Sequence, residues 1–329
     1  MKPVLIDLQE VREKIDSGRK LLLAGDETLL RQLPPGNWIA GTIPYFMSDS
    51  GGVFSRDRIF VTEMPDYIKD FHIKVYDEKT MADVYRDGLD NGFSVMIVPA
   101  FCATHLSFSL NAPNYEDFAT RLLLGWVAGS ELMNIDDHKP KVIAGTSLKL
   151  IEDGAVVAHV SLPKNKYADL KIINIFEQGK GDTITFLEDG FSVVDAFVNG
   201  ERQNFADYLI NKKFDIRFPL TANYTGAKIN VSFRKIDEKN KRVDFYAPVF
   251  KGMTYKLATP VEDYVTRFSR QVPGISPDSI FFSCNCILNY LYSELEGKKT
   301  EGFTGPFTFG EIAFQLLNQT LVYVTINDL

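Results

Sequence analysis

The most informative part of the sequence is SIFFSCNCILNYLYSELEG, residues 279–297, together with FTGPFTFGEIAFQLLNQTLVYV, residues 303–324. An apolar run, a cysteine-containing junction, a helical pattern, a glycine-containing loop and a second apolar run follow one another. This order predicts strand, helix, loop and strand. Two polar clusters interrupt it, Ser283 to Cys286 and Gly310-Glu311. Polar positions on an otherwise apolar scaffold are where function tends to lie.

Helical and strand patterns alternate along the rest of the chain as well, so the sequence predicts an α/β or α+β fold. The length of 329 residues is long for one compact core, which favours two lobes with mixed sheets flanked by helices. The segment SLPKNKY interrupts a run of strand patterns near Pro163. We therefore predict an N-terminal lobe over residues 1–163 and a C-terminal lobe over residues 164–329.

Several individual elements follow from local patterns. Helices are predicted over residues 8–16 and 80–89, and again from Asn114 to near Gly129, where Phe118, Leu122 and Trp126 recur at a spacing of four. The apolar run 93–98 predicts a strand buried on both faces. Asp153-Gly154, Asp189-Gly190 and Asn199-Gly200 favour the positive φ angles of tight hairpin turns, and Asn204 can cap a short helix after the last of these.

Charge and composition restrict the functional class. A net charge of -7 argues against nonspecific binding to nucleic acid, which requires a cationic face. The N-terminal residues are too charged for a signal peptide, and no stretch approaches the ~20 apolar residues that span a bilayer. The expected location is therefore the cytoplasm, without membrane association. The three cysteines, Cys102, Cys284 and Cys286, form a poor disulfide framework, which fits a reducing compartment.

The junction Cys284-Asn285-Cys286 is predicted to follow a strand and open a helix. Unpaired amides at a helix start favour an anion and lower the pKa of a nearby thiol. On this interpretation the junction contacts a ligand carboxylate or carries a reactive thiol. The alternative is that small residues fill a tight packing point, because free cysteine is among the most buried residue types.

Glu311 is the one acid in an apolar run and has two interpretations. It anchors an amine or hydroxyl of a ligand, or it is a helix-start acid satisfied by backbone amides or by solvent. The four histidines, His72, His105, His138 and His159, are scattered and lack metal-ligand spacing. No metal site is expected, although a single histidine suffices to ligate haem.

The chain resembles the FIST family of sensory ligand-binding modules. That family carries a strand ending in F-S-C-N/A-G-R, then G-F-F-S/T-F/Y-G-E-I, then N-x-T at the last strand. The corresponding segments here are Phe282 to Asn285, Gly305 to Ile312, and Asn318 to Thr320. The segment from Gly41 to Gly52 is similar to an early strand and loop of the family. Cys286-Ile287 stands where the family often has Gly-Arg, which removes a cation suited to a carboxylate.

The resemblance implies a stand-alone sensor that binds an amino acid or related metabolite between two lobes and signals through a protein partner. It implies ligand contacts at eight residues: Gly41, Thr42, Ser283, Cys284, Asn285, Cys286, Gly310 and Glu311. No cofactor and no catalytic residue are expected. The alternatives are a scaffold without a small ligand, a haem-binding sensor, and an enzyme with Cys284 or Cys286 as nucleophile.

Overall fold

The computed structural model describes residues 3–134, 138–224, 227–261, 263–271, 276–300 and 302–329. The chain divides into two compact units. The larger contains Met1–Ile173, Val272–Leu316 and Leu321–Leu329, and the smaller contains Asn174–Gln271 and Leu317–Thr320. This division differs from the predicted boundary at 163/164. Residues 166–173 pair along their whole length with the last strand of the chain, so this segment and the C-terminal strands belong to the larger unit.

The described residues up to Ile173 form thirteen strands and three α-helices. The strands are β1 (Val4–Ile6), β2 (Leu21–Gly25), β3 (Trp38–Thr42), β4 (Tyr45–Ser48), β5 (Gly51–Phe54), β6 (Ile59–Glu63), β7 (Phe71–Tyr76), β8 (Gly92–Pro99), β9 (Leu123–Ala128), β10 (Val142–Ala144), β11 (Leu150–Ile151), β12 (Ala155–Ser161) and β13 (Lys166–Ile173). The helices are α1 (Leu8–Asp16), α2 (Glu27–Leu30) and α3 (Ala103–Asn111), with short 3-10 helices at Met81–Asp83, Ala112–Asn114 and Leu132–Asn134.

The remaining elements follow in chain order. The smaller unit contributes β14 (Ile184–Thr185), β15 (Gly190–Val193), β16 (Asp195–Val198), β17 (Glu201–Asn204), α4 (Phe205–Asn211), β18 (Leu220–Tyr224), β19 (Ala227–Val231), β20 (Phe233–Asp237), β21 (Arg242–Val249), β22 (Tyr255–Leu257) and α5 (Tyr264–Ser269). A 3-10 helix at Pro277–Ser279 precedes β23 (Ile280–Cys286), α6 (Ile287–Tyr292), β24 (Gly305–Thr308), β25 (Glu311–Ala313), β26 (Gln315–Leu317) and β27 (Leu321–Asp328).

The strands form mixed and antiparallel sheets, which confirms the predicted α+β class. Three six-stranded sheets have the orders β1-β6-β2-β3-β10-β11, β26-β25-β9-β8-β12-β7 and β13-β27-β23-β24-β4-β5. The smaller unit has the orders β17-β16-β14-β22-β18-β19 and β15-β21-β20. Parallel pairs occur at β2–β3, β8–β9 and β23–β24. The carboxyl ends of such strands are common ligand positions in sheets of this kind.

Local sequence explains the first helix and its place in the core. Asp7 caps α1 and Glu10 completes a capping box, in which each side chain accepts from the other residue's backbone amide. Val11 and Ile15 lie four apart on one face and are buried against a core that includes Trp38. The predicted helix over residues 8–16 is confirmed.

The smaller unit has its own aromatic core. Phe186, Phe205, Phe233 and Phe245 are buried and contact one another at centroid distances between 5.4 and 6.5 Å. Asn204 caps α4 as predicted. Asn199-Gly200 joins the paired strands β16 and β17, and both residues have positive φ, which confirms that hairpin. The other two predicted turns connect strands that lie in different sheets.

Two predicted helices are wrong. Residues 123–128 form the strand β9, which is buried along its whole length and parallel to β8. The spacing of Phe118, Leu122 and Trp126 suited a helix, but a strand buried on both faces has an unbroken apolar run and no clear periodicity. The segment 80–89 has only one 3-10 helix, while α3 follows β8 where no helix was predicted. Within the described ranges, no helix is long and apolar enough to cross a membrane.

Candidate functional site

The structure brings the predicted C-terminal residues together around one threonine. The side chain of Thr308 lies within hydrogen-bond distance of the Asn285 carbonyl oxygen at 3.3 Å, the Gly310 carbonyl oxygen at 3.1 Å and Glu311 Oε1 at 3.4 Å. Thr308 is itself completely buried. We call Ser283 to Cys286, Thr308, Gly310 and Glu311 the C-terminal cluster. Sequence reasoning identified every member except Thr308.

The C-terminal cluster is closed to solvent. Ser283, Cys284, Asn285 and Cys286 are between 1% and 4% exposed, and Glu311 is fully buried. Ser283 Oγ donates to the Thr304 carbonyl oxygen at 2.8 Å. These residues therefore occupy a packed junction between strands, and a ligand would reach them only if the junction opened.

The prediction that Cys284 is a reactive thiol at the start of a helix is wrong. Cys284 and Asn285 lie within β23, and only Cys286 stands at the start of α6, where its side chain makes no capping hydrogen bond. Burial raises the pKa of Cys284 well above its usual value, and the nearby negative charge of Glu311 raises it further. A protonated, buried thiol is a poor nucleophile.

Glu311 begins strand β25, so its interpretation as a helix-start acid is also wrong. It lies directly opposite Trp126 of β9 in the antiparallel pair. Asn289 is a further buried polar residue that sequence reasoning missed, and its Nδ2 donates to Asn285 Oδ1 at 2.9 Å. Asn285 lies in β23 and Asn289 in α6, so the contact depends on the turn between strand and helix, and no periodic pattern in the sequence indicated it.

Gly41 and Thr42 lie at the end of β3, apart from the hydrogen bonds of the C-terminal cluster. A Cβ at Gly41 would stand 2.6 Å from Ile97 Cγ2 and 3.1 Å from Trp126 Nε1, so glycine is needed for close packing there. Thr42 Oγ1 donates to the Gly129 carbonyl oxygen at 2.7 Å and accepts from the Lys141 amide at 2.9 Å. Thr42 thereby ties β3 to the segments that follow β9 and precede β10.

Thr42 lines a cavity of about 230 Å³ within the larger unit, which we call the Thr42 cavity. The cavity lies beyond the carboxyl ends of β3 and β9. It is lined by Asp26, Glu27, Thr28, Arg31, Thr42, Ile43, Pro44, Arg56, Ser130, Glu131, His138 and Lys139. Volumes of ~300–1,000 Å³ are typical for drug-sized ligands, so a cavity of this size suits a small metabolite.

An arginine between two carboxylates forms one wall of this cavity. Arg56 Nε donates to Asp26 Oδ2 at 2.9 Å, and Arg56 Nη1 lies 3.6 Å from Glu131 Oε2. Burial alone would raise the pKa of Asp26, but hydrogen bonds from Thr28 and the charge of Arg56 outweigh it and hold the pKa below its usual value. Asp26 is therefore an anion at neutral pH, fixed as the N-cap of α2.

A second group of ion pairs, centred on Glu27, lies next to the ion pairs of Arg56. Lys141 Nζ lies 2.6 Å from Glu27 Oε2, and Arg31 Nε donates to Glu27 Oε1 at 2.7 Å. Burial favours a raised pKa for Glu27, but the bonds from Lys141 and Arg31 dominate and lower it. The lining therefore presents fixed charges of both signs, which can orient a ligand that itself carries both.

Ser130 completes the cavity. It is 6% exposed, and its Oγ has no hydrogen-bond partner within the described residues. A buried hydroxyl without a partner is unfavourable by about 1–3 kcal/mol. Because the Oγ atom is closed to solvent, a ligand in the cavity would recover this free energy only if a small movement of the wall exposed the hydroxyl. Ser130 follows strand β9, whose sequence pattern favoured a helix, so the position of Ser130 was not recognised. The role of Asp26 as an N-cap is indicated by the sequence, because Asp26 directly precedes a short apolar pattern typical of a helix.

The histidines divide into two exposed and two buried residues. His72 and His138 are exposed, whereas His105 and His159 are 2% and 3% exposed. No group of three or more potential metal ligands is found in the part of the chain that the structure describes. Haem ligation stays a prediction.

The fold and the Thr42 cavity define a two-unit α+β protein with a small cavity at strand ends, whose lining combines apolar surface with charged groups. The sequence matches the model of DUF6976, a family of unknown function, over residues 6–327. The chain therefore belongs to that family. No curated protein matches it. The family match does not extend to FIST proteins, and the resemblance to them stays a prediction.

Proposed function

We propose that this protein binds a small metabolite that carries both charges, such as an amino acid, in the Thr42 cavity, and that it acts as a sensor. The observation that carries the proposal is the buried Ser130 hydroxyl without a partner, in a cavity whose walls hold Asp26, Arg56 and Glu131. The proposed location replaces the interlobe site near Cys284, Asn285 and Glu311 that the sequence led us to expect.

Each end of such a ligand has a chemically suitable group. Arg56 has five N–H donors in a planar fork, of which Nε and Nη1 face Asp26 and Glu131. A ligand carboxylate would accept from the remaining donors, and the Ser130 hydroxyl would add a further hydrogen bond. A ligand ammonium group would be neutralised by Glu131 or Asp26. The sensory role, in which a protein partner reads the bound state, rests on the resemblance to FIST proteins.

The test is a thermal-shift panel of amino acids, small organic acids and small amines, followed by calorimetric titration of any stabilising compound. A ligand at a hundredfold excess over its dissociation constant stabilises the folded state by about 2.7 kcal/mol, which is easily seen as a rise in Tm. We expect Arg56→Gln to abolish the shift and Ser130→Ala to weaken binding by about tenfold.

Arg58→Gln is the matched control, because Arg58 is exposed two residues away and does not line the Thr42 cavity. It should leave the shift unchanged. A ligand that binds Arg56→Gln as tightly as the unmodified protein would contradict this location. A panel without any stabilising compound, haem included, would favour the scaffold alternative, in which the polar motifs only hold the strands together.

A further inference from the structure

Strand β13 leaves one long edge open. It carries KYADLKII over Lys166–Ile173 and is the first strand in the order β13-β27-β23-β24-β4-β5. All eight residues pair with β27 on one side. No strand of the described chain pairs with β13 on its other side. A long edge with free backbone groups is a template for another strand.

The two faces of β13 differ in character. Ala168, Leu170 and Ile172 alternate on the face that also carries Val324 and Val322 of β27, both of which are completely buried. The opposite face carries Tyr167, Asp169 and Lys171. Ile172 is 42% exposed although it lies on the apolar face, and Tyr167 is equally exposed. The edge therefore exposes apolar surface that a further strand would cover.

We propose that β13 is the contact between two copies of this chain, joined as antiparallel strands around a two-fold axis at Leu170. A two-fold axis perpendicular to the sheet keeps the same face of both β13 strands on the same side of the combined sheet. Two residues then lie opposite each other when their residue numbers add up to twice the number of the residue on the axis. With Leu170 opposite Leu170 of the second copy, Ala168 lies opposite Ile172 and the apolar faces continue into one another. The two six-stranded sheets then form one sheet across the axis.

Charge complementarity selects this register. In it, Asp169 of each copy lies opposite Lys171 of the other, so two cross-strand pairs of opposite charge form on the polar face. Within one copy these side chains already lie 3.0 Å apart. A shift that places Asp169 on the axis would oppose two aspartates, and like charges directly opposite are unfavourable.

Another exposed edge does not have this property. Strand β7, FHIKVY, is the last strand in the order β26-β25-β9-β8-β12-β7. The equivalent register, with Ile73 on the axis, places His72 opposite Lys74. That pairing brings no opposite charges together. The self-complementary pattern therefore favours β13 as the edge that pairs with itself.

The first test measures the mass of the full-length protein by sedimentation velocity across a concentration series. We expect a reversible dimer, and we expect Asp169→Lys to weaken it by about tenfold or more, because lysine then faces Lys171 of the second copy. The double variant with Asp169→Lys and Lys171→Asp should recover the dimer, since each pair is only reversed. Glu201→Lys, on the exposed strand β17, is the control and should leave the dimer unchanged.

A second test reads the register directly. Leu170→Cys places a thiol opposite its own copy, within the Cα separation that a disulfide requires, whereas Ile172→Cys lies opposite Ala168. Under mild oxidation, Leu170→Cys should form a covalent dimer, and both Ile172→Cys and the unmodified protein should not. The proposal is overturned by a monomer at every concentration, by a dimer that Asp169→Lys leaves intact, or by preferential cross-linking of Ile172→Cys.

Discussion

The hydroxyl of Tyr76 lies 2.8 Å from Nε2 of His159, although the two residues are 83 positions apart in the chain. The other ring nitrogen, Nδ1, lies 2.7 Å from Ser94 Oγ, and Tyr76 in turn donates to Asp87 at 2.7 Å. The imidazole is thus enclosed by neutral hydroxyl groups in the sheet that contains β7, β8 and β12. Burial is therefore the main influence on the pKa of His159.

The free energy of unfolding should depend on pH because His105 and His159 are buried. Burial lowers the pKa of His159 to about 4; among nearby charges Asp87 opposes this shift, and Lys74 and His72 add to it. Burial alone lowers the pKa of His105 to about 4. Both pKa values are lower in the folded protein than in the unfolded chain, so their contribution is complete above about pH 6.5 and is lost as the pH falls towards 4.

We expect the free energy of unfolding to fall by roughly 3 kcal/mol per histidine between pH 6.5 and pH 4. Urea denaturation at several pH values in this window measures the slope. His159→Gln should remove about half of it. Equal slopes in the His159→Gln variant and the unmodified protein would show that His159 is not buried as a neutral group.

Replacing the buried acid of the C-terminal cluster tests its structural role. Glu311→Ala removes a fully buried side chain, leaves a void and strips Thr308 of one of its partners. We expect it to reduce the free energy of unfolding by about 2–4 kcal/mol, and the isosteric Glu311→Gln to cost less. Chemical denaturation measures both. If the Thr42 cavity is the binding site, ligand affinity should survive in Glu311→Gln.

The thiols of Cys284 and Cys286 should be inert in the folded protein. Both are 1% exposed, and the pKa of Cys284 is raised by burial. Cys102 is partly exposed, but burial raises its pKa to about 11, so it should react slowly as well. A chromogenic thiol reagent should therefore label native protein far more slowly than free cysteine and titrate three thiols after unfolding. Rapid labelling of Cys284 or Cys286 would revive the cysteine-enzyme alternative.

Gly125 should be among the least tolerant positions of β9. Its φ is +145°, and a Cβ there would stand 1.8 Å from the Met96 carbonyl oxygen of the neighbouring strand. We expect Gly125→Ala to cost more than about 3 kcal/mol, because strain and backbone collision add, and to give little folded protein. Gly200→Ala is the comparison: its φ is also positive, but no atom lies within 4 Å of its Cβ position. The loss there should be about 1 kcal/mol.

The features that could be predicted from the sequence are those encoded by neighbouring residues. The helix over residues 8–16, the cap of α4 by Asn204 and the hairpin at Asn199-Gly200 each depend on residues within a few positions of one another. The alternation of such local patterns along the chain indicated the α+β class. The polar residues of the C-terminal cluster were also identified, because they interrupt apolar runs. Local patterns could not separate a fully buried strand from a helix, which is why β9 was assigned wrongly.

Where these residues lie, and what they can do, depends on contacts between distant parts of the chain. Cys284, a candidate nucleophile on sequence grounds, is buried and its raised pKa keeps the thiol protonated. Glu311 lies in a strand and not at the start of a helix. Thr42 and Ser130 line one cavity although 88 positions separate them, and that arrangement requires β3 and β9 to end at the same place. Such proximity depends on long-range strand pairing, whose register is set by packing over the whole unit and cannot be derived from any single segment.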